Sequence, residues 1–449
     1  MKLSRFVVGL ALLWAIPFAA AQPADPKVVF ERYTLPNGLE VILSPDKNVP
    51  LVAVSVWYHV GSGYEVYGKS GFAHLFEHMV FQGSKHVGDD KHFTVLKTIG
   101  SENVNGTTNM DRTNYYEVVP SNQLETALWL ESDRMGYLLE KLTAKSLANQ
   151  IDVVRNERRQ RYDNVPYGKT RFAMLAALYP EGHPYRYMTI GKHEDLEAAS
   201  VEDVKNFFKT WYVPANATLT LTGDFEVPAA KKLVEKWFST YPKSAKPKVV
   251  PVPAPAIKSS ETTVEDEFAK QRQIVFAWHS PANYGEGDAE LDIAANALTR
   301  EGPGRLYKAL VYDRPLAVSV SSFQNGAQFS GSFQVSVNLR PEANLDEVKK
   351  IVAAEVARLG KEVLTEKEIA RVVTANESGA IRSLESLLGR GEQLQAYNHY
   401  LGDPGKLTYD LDRFRTTNAE KIRATVAKYL LPDRMVTVIT NPVTKGGAK

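Results

Sequence analysis

The sequence predicts an α+β protein of two similar halves. Three observations carry this: a proline-rich break near the middle, strand-like and helix-like segments on both sides of it, and a length of 449 residues. That length suits two or three domains, each able to bury its own core.

The break spans residues 246–257, KPKVVPVPAPAI, where Pro247, Pro251, Pro253 and Pro255 exclude a helix and a central strand alike. It reads as a linker between segments 28–245 and 258–445. In the first segment, residues 51–58 are strand-like. Helices are expected over 71–84 and 124–142, the latter because Leu124, Leu128, Met135, Leu138, Leu139 and Leu142 recur at helical spacing. In the second, residues 273–278 are strand-like and 289–298 helical, followed by strand-like 316–323 and 332–339 and a helical pattern over 345–359.

Composition narrows the function classes. With 44% hydrophobic and 24% charged residues the chain is neither disordered nor fibrous. It has no cysteine, which rules out disulfides, thiolate ligands and cysteine nucleophiles and leaves His and carboxylates to hold any transition metal. Residues 1–21 read as a secretory signal peptide: Lys2 and Arg5 precede an apolar run from Phe6 to Phe18 and the small Ala19, Ala20 and Ala21. Export, most simply to a bacterial periplasm, is therefore expected. No later stretch reaches the roughly 20 apolar residues of a spanning helix, so no membrane anchor is expected. Loss of Lys2 and Arg5 takes the formal charge from +2 to zero. A neutral chain has no electrostatic drive toward nucleic acid or anionic lipid.

The chemistry concentrates in His74, Leu75, Phe76, Glu77 and His78, an HxxEH pattern. Residues four apart share a helix face, so both histidines can address one ion while Glu77 reaches a water beside it. This is the minimum set for a zinc hydrolase, in which the ion activates water and polarises a carbonyl and the glutamate moves the proton. Catalytic zinc takes three protein ligands, so another His, Glu or Asp must come from elsewhere. Glu157 is a candidate. It lies in SLANQIDVVRNERRQRY, a helical pattern with Ser146 as its expected N-cap, beside a stripe containing Val153 and Val154. Pattern alone leaves Glu157 open between a metal ligand and part of a solvated face with Arg155, Arg158 and Arg159.

HLFEH at 74–78 with VVRNERRQ at 153–160 resembles the pitrilysin, insulin-degrading-enzyme and mitochondrial-processing-peptidase family. LPNGLEVIL at 35–43 is similar to that family's opening strand, GSGYE at 61–65 and GFAHLFEHMVFQGSKH at 71–86 to its metal-helix region, and GDFE at 223–226 to the end of its first domain. The resemblance spans nearly the whole chain after residue 28, more strongly in the first half. It implies two structurally repeated domains, each a mostly antiparallel sheet with helices packed on one face, and a metal only in the first. It also implies Zn2+ bound by His74, His78 and Glu157, with Glu77 as base. VNGTTNMDRTNYYEV at 104–118 resembles the family's edge strand, which takes up substrate as a further strand and would place Asn105, Gly106 and Thr107 against it. Asn105-Gly106 can equally be read as a turn.

The pattern is departed from in three places. Where the family has a second glutamate seven residues before the distal ligand, this chain has Gln150, whose amide can support the site by hydrogen bonding without adding charge. The separation from His78 to Glu157 is somewhat longer than usual. In the second half, the family's substrate-holding Arg and Tyr fall on Val311 and Val318, while Tyr312 and Arg314 stand nearby in reversed order. The resemblance therefore implies a zinc endopeptidase subunit acting on peptides, within a hetero-oligomer whose related partner carries the Arg and Tyr. Competing readings are a non-catalytic scaffold subunit and a zinc hydrolase of non-peptide esters or amides.

Overall fold

The structure, a computed structural model, describes residues 25–443, so the expected signal peptide lies outside the described residues. Six strands form the first sheet: β1 (Glu31–Thr34), β2 (Glu40–Pro45), β3 (Leu51–Tyr58), β4 (Glu102–Thr108), β5 (Thr113–Pro120) and β6 (Ala217–Gly223), in the order β1-β2-β6-β3-β5-β4. The second sheet contains β7 (Ser260–Asp266), β8 (Gln273–Ser280), β9 (Ala317–Gly326), β10 (Gly331–Leu339) and β11 (Val436–Pro442), in the order β7-β11-β8-β10-β9. With β1 set aside, the two orders are the same. Both sheets are antiparallel except for one parallel pair, β2 with β6 and β7 with β11. The expected α+β fold of two repeated, mostly antiparallel sheets with helices is what the chain adopts. Residues 246–257 carry neither helix nor strand.

The second face of each sheet is covered as well. In β3, alternation sends Val52, Val54, Val56 and Tyr58 into the first core while Ser55 and Trp57 point the other way. In β8, Ile274, Phe276 and Trp278 face the second core and Val275 and Ala277 the opposite side. Both sides are buried, so each second face needs a cover. Helix Gly168–Leu178 of the first half supplies it for the second sheet, packing Met174, Leu175 and Leu178 with Val275, Ala277, Val436 and Val438. Helix Leu387–Leu401 of the second half covers β3 and β6, and its Gln395 amide donates to the Ser55 and Thr218 carbonyls at 3.3 and 2.9 Å. The halves are thus locked by an exchange of helices.

Several local expectations change. The helix expected over 71–84 is α1 (Phe72–Met79); past it the Phe81 and Gln82 amides fold back on the His78 and Met79 carbonyls, and Gly83 takes φ +117°. The helical pattern over 124–142 stops at Tyr137, with one tighter turn, Leu138–Glu140, beyond it. Residues 104–118 are a hairpin of β4 and β5 rather than one strand, turning where the Asp111 and Arg112 amides donate to Asn109 Oδ1. GDFE leads out of β6 into a further helix, Val227–Phe238, within the first half.

Glu157 stands near the end of α2 (Ala144–Arg158), whose N-cap is Thr143, not Ser146. Ser146 sits at the third helical position and returns a bond to the Thr143 amide in a reciprocal cap. Val154 is fully buried, but Val153 is 40% exposed and does not belong to the stripe. Among the described residues no helix is long and apolar enough to cross a membrane. Thr143→Ala is expected to lower the stability of the metal-free chain by about 1 kcal/mol. Ser146→Ala should cost less, because Thr143 keeps the helix amide; urea midpoints of the two variants check the order.

Candidate metal and active site

Helix α1 begins at Gly71, at φ +89°, without a capping side chain of its own. Its first amides turn to Glu65, whose carboxyl accepts from Gly71 N–H at 2.9 Å and Ala73 N–H at 2.7 Å. Burial pushes the Glu65 carboxyl up to about 8 although these amides work against it. Asp195 fixes the preceding residue, accepting from the Ser70 amide at 2.9 Å and its hydroxyl at 2.5 Å. Gly191 packs so closely that a Cβ there would lie 2.4 Å from the Ser70 carbonyl oxygen.

From this clamped start, His74 and His78 emerge one turn apart on α1 and meet Glu157 of α2. Glu157 Oε2 lies 3.6 Å from His74 Nε2 and 3.2 Å from His78 Nε2, and one donor atom from each residue falls within 4.8 Å of the others. Ligands about 2.0–2.1 Å from a tetrahedral zinc stand about 3.3 Å apart, so the set fits such an ion. Burial first, then the neighbouring His78, pushes His74 down to about 4, leaving a neutral imidazole with a lone pair to give. Burial works to raise the Glu157 carboxyl, but the bond with His78 and the electrostatic pull of the surrounding groups, the Arg161 guanidinium among them, outweigh it and lower it. Arg161 pairs with Oε1 at 2.9 Å, which turns Oε2 toward the histidines. His74 Nδ1 is buried without a partner among the described residues. Gln150 is buried on α2 two turns before Glu157, yet no described hydrogen bond joins it to the three donors.

Glu77, one step round α1, accepts from Thr108 Oγ1 at 2.6 Å, while burial raises its carboxyl above the usual range. Thr108 ends β4, so the glutamate and the edge strand are joined directly. Asn105 and Gly106 lie within β4, opposite Tyr116 and Tyr115, and not in a turn. A Cβ on Gly106 would come within 3.1 Å of Glu77 Cγ, and Thr107 turns its hydroxyl toward Asn114. Among the described residues, the other side of β4 has no neighbouring strand.

A second group, His92, Glu117 and Glu131, has donor spacing suited to a cation. Arg134 already sits there, bonded to Glu131 at 2.9 Å and 3.2 Å from His92 Nε2, so its guanidinium supplies the charge. In the second half, Val311 packs against the core and Val318 is exposed on β9. Tyr312 is 79% exposed and Arg314 pairs with Glu347 at 3.1 Å; no described contact brings either to the first-half site.

The insulinase (peptidase family M16) model matches residues 40–185, and the model described as the peptidase M16 inactive domain matches 198–376. The chain belongs to the M16 peptidase family. Among M16 relatives, the zinc protease PqqE of Helicobacter pylori is 28% identical over 85% of this chain and 86% of its own length. The mitochondrial-processing peptidase subunit beta of Lentinula edodes is 24% identical, covering 81% and 79%. Among solved structures, a protease from Helicobacter pylori superposes with a TM-score of 0.86 at 26% identity, covering 93% of this chain and 100% of that one.

Sequence reasoning missed Glu65, Asp195 and Thr108. One signal was present: a helix following Gly71 without a Ser, Thr, Asp or Asn cap needs acceptors from elsewhere. Glu65→Ala is expected to cost about 2–3 kcal/mol by leaving buried amides unpaired, whereas Glu65→Gln, which keeps an acceptor oxygen, should cost less. Chemical denaturation of both variants checks this.

Proposed function

We propose that this chain is the metal-bearing subunit of an exported zinc endopeptidase that cleaves peptides or unfolded segments. One observation carries the reading: the donors of His74, His78 and Glu157 converge at zinc-ligand spacing, with Glu77 beside them and bonded to an open strand edge. The relatives named as zinc proteases support it.

Zinc held by His74, His78 and Glu157 would supply Lewis acidity to a water and to the scissile carbonyl. Glu77 takes the proton from that water and delivers it to the leaving amine. Thr108 holds Oε2 of Glu77, which orients the base and leaves Oε1 for the proton. The outer edge of β4 at Asn105, Gly106 and Thr107 accepts the peptide as an added strand, so backbone hydrogen bonds place the scissile bond whatever its side chains.

The site lacks one component. A tetrahedral intermediate needs donors aimed at its oxyanion, and Val311 and Val318 have none to offer. We assign these donors to an Arg and a Tyr on a related, exported partner chain; that one relative bears the name of a subunit favours this arrangement.

Glu77→Gln should retain zinc and lose at least about 100-fold in turnover, the scale of a general base. Glu157→Gln should lose zinc instead, while Asp152→Asn, whose side chain is 72% exposed, should keep both. Metal analysis alongside peptide kinetics separates these outcomes; full activity in zinc-replete Glu77→Gln would remove Glu77 from the mechanism. The partner is tested by mixing. Adding the related chain should raise peptide cleavage by about 100-fold or more, the worth of an oxyanion donor. An isolated chain that cleaves as fast without it would end the two-chain reading.

A further inference from the structure

One carboxylate of the second half bonds directly to β3 and β5 beside the working parts of the first. Glu392 lies on helix Leu387–Leu401, the cover of the first sheet. Its Oε1 accepts from Ser55 Oγ at 2.6 Å and Trp57 Nε1 at 3.1 Å, and its Oε2 accepts from Asn114 Nδ2 at 2.7 Å. That last bond fixes the Asn114 amide, a fully buried group on β5, with its oxygen toward β4. Asn114 Oδ1 accepts from the Thr107 hydroxyl at 2.6 Å. The same hydroxyl accepts from Arg112 Nη1 at 2.6 Å, and Arg112 also donates to the Thr107 carbonyl at 2.9 Å. The next residue, Thr108, donates to Glu77.

We infer that Glu392 is a positioning residue for the catalytic half: through Asn114 and Thr107 it sets the place of β4, and with it the bond from Thr108 to Glu77. The inference rests on the peptidase reading of β4 and Glu77. Each link has one donor and one acceptor, so the chain has a direction. With a carboxylate at 392, Asn114 must turn its NH2 toward Glu392 and its carbonyl toward Thr107. An amide at 392 has one oxygen for two fixed N–H donors, Trp57 and Asn114, since the Ser55 hydroxyl can turn to accept; with that oxygen kept on Trp57, the amide NH2 faces the Asn114 NH2. In that arrangement Asn114 flips, which leaves the Thr107 hydroxyl facing two donors and no acceptor. The charge matters too. Arg112 lies within electrostatic reach of both Glu392 and Glu77 and stacks 5.0 Å over the Trp57 ring. Without Glu392, Arg112 is drawn toward Glu77 and away from the Thr107 carbonyl.

The logic of donors and acceptors supplies its own rescue. Glu392→Gln combined with Asn114→Asp reverses the polarity of one link and restores the rest: the amide introduced at 392 donates to the carboxylate introduced at 114, and that carboxylate again accepts from Thr107. Hydrogen–deuterium exchange of the full-length chain reads the effect without requiring turnover. Glu392→Gln should speed exchange of the 102–108 segment at least tenfold while 72–79 stays within twofold of the parent, and the double variant should return 102–108 to within threefold. Thr107→Val, which cuts the same chain without burying a new polar group, should also loosen 102–108. In parallel, kcat/KM for a peptide should fall about tenfold in Glu392→Gln, mainly through kcat, and recover in the double variant. Unchanged exchange over 102–108 in Glu392→Gln, or a double variant no better than the single, overturns the inference. A parent chain that cleaves nothing, even with its partner, sinks the peptidase reading and leaves the exchange result to stand separately.

Discussion

Bringing His78 Nε2 and Glu157 Oε2 to 3.2 Å, with His74 at 3.6 Å, sets the demand that the rest of the first half has to meet. Two imidazole lone pairs and a carboxylate aimed at one small volume repel one another unless a cation or proton lies between them. Holding them together therefore needs a frame that does not relax. The frame is made at the start of α1. Glu65 engages its first amides, Asp195 fixes Ser70, and Gly191 allows a backbone approach that no other residue could, since a Cβ would collide with Ser70. Arg158 Nη1 also donates to the Gly191 carbonyl at 2.5 Å, so α2 is tied to the same loop that braces α1.

The juxtaposition of His74, Glu77 and His78 was legible because it depends on helix periodicity alone: the three lie within about one turn of each other in any helix. Glu157 was legible only with a family resemblance beside it, because its neighbourhood reads as well as a charged surface; Val153 is in fact exposed and Arg155 pairs with Glu197. Ser146 reads as the cap since a cap and the third residue of a reciprocal cap favour the same residue types. Thr143, three residues earlier, differs only in its extended backbone, which spacing does not disclose.

What sequence pattern could not give was the second face of each sheet. Alternation in β3 distinguishes Val54 and Val56 from Ser55 and Trp57, and a polar residue in such a pattern normally signals solvent. Here the polar side is buried too, under a helix more than 300 residues away in the chain. Glu392, Gln395 and Asn398 explain how: the helix is polar on the side it buries, and its groups pair with Ser55, Trp57, Asn114 and Glu40. Such a match of long-range donors and acceptors leaves no periodic trace in either segment.

The repeat shows how little of a fold its chemistry occupies. The connection from β3 to β4 contains α1, with His74, Glu77 and His78; the corresponding connection from β8 to β9 contains helix Asp288–Thr299. That helix buries Ala289, Leu291, Ile293, Ala294, Ala295, Ala297 and Leu298, filling its space with aliphatic side chains. It has no histidine, and its Asp292 carboxyl is pushed up to about 7, by burial first and then by Asp288. A helix packed so thoroughly has no inward position left for a ligand set, whereas α1 gives up part of its apolar face to three polar side chains and recovers rigidity through Glu65 and Asp195. Two sheets of one topology thus differ in use of the same connection: one gives up packing for a polar cluster, and the other keeps its packing and lends a helix that covers the first sheet.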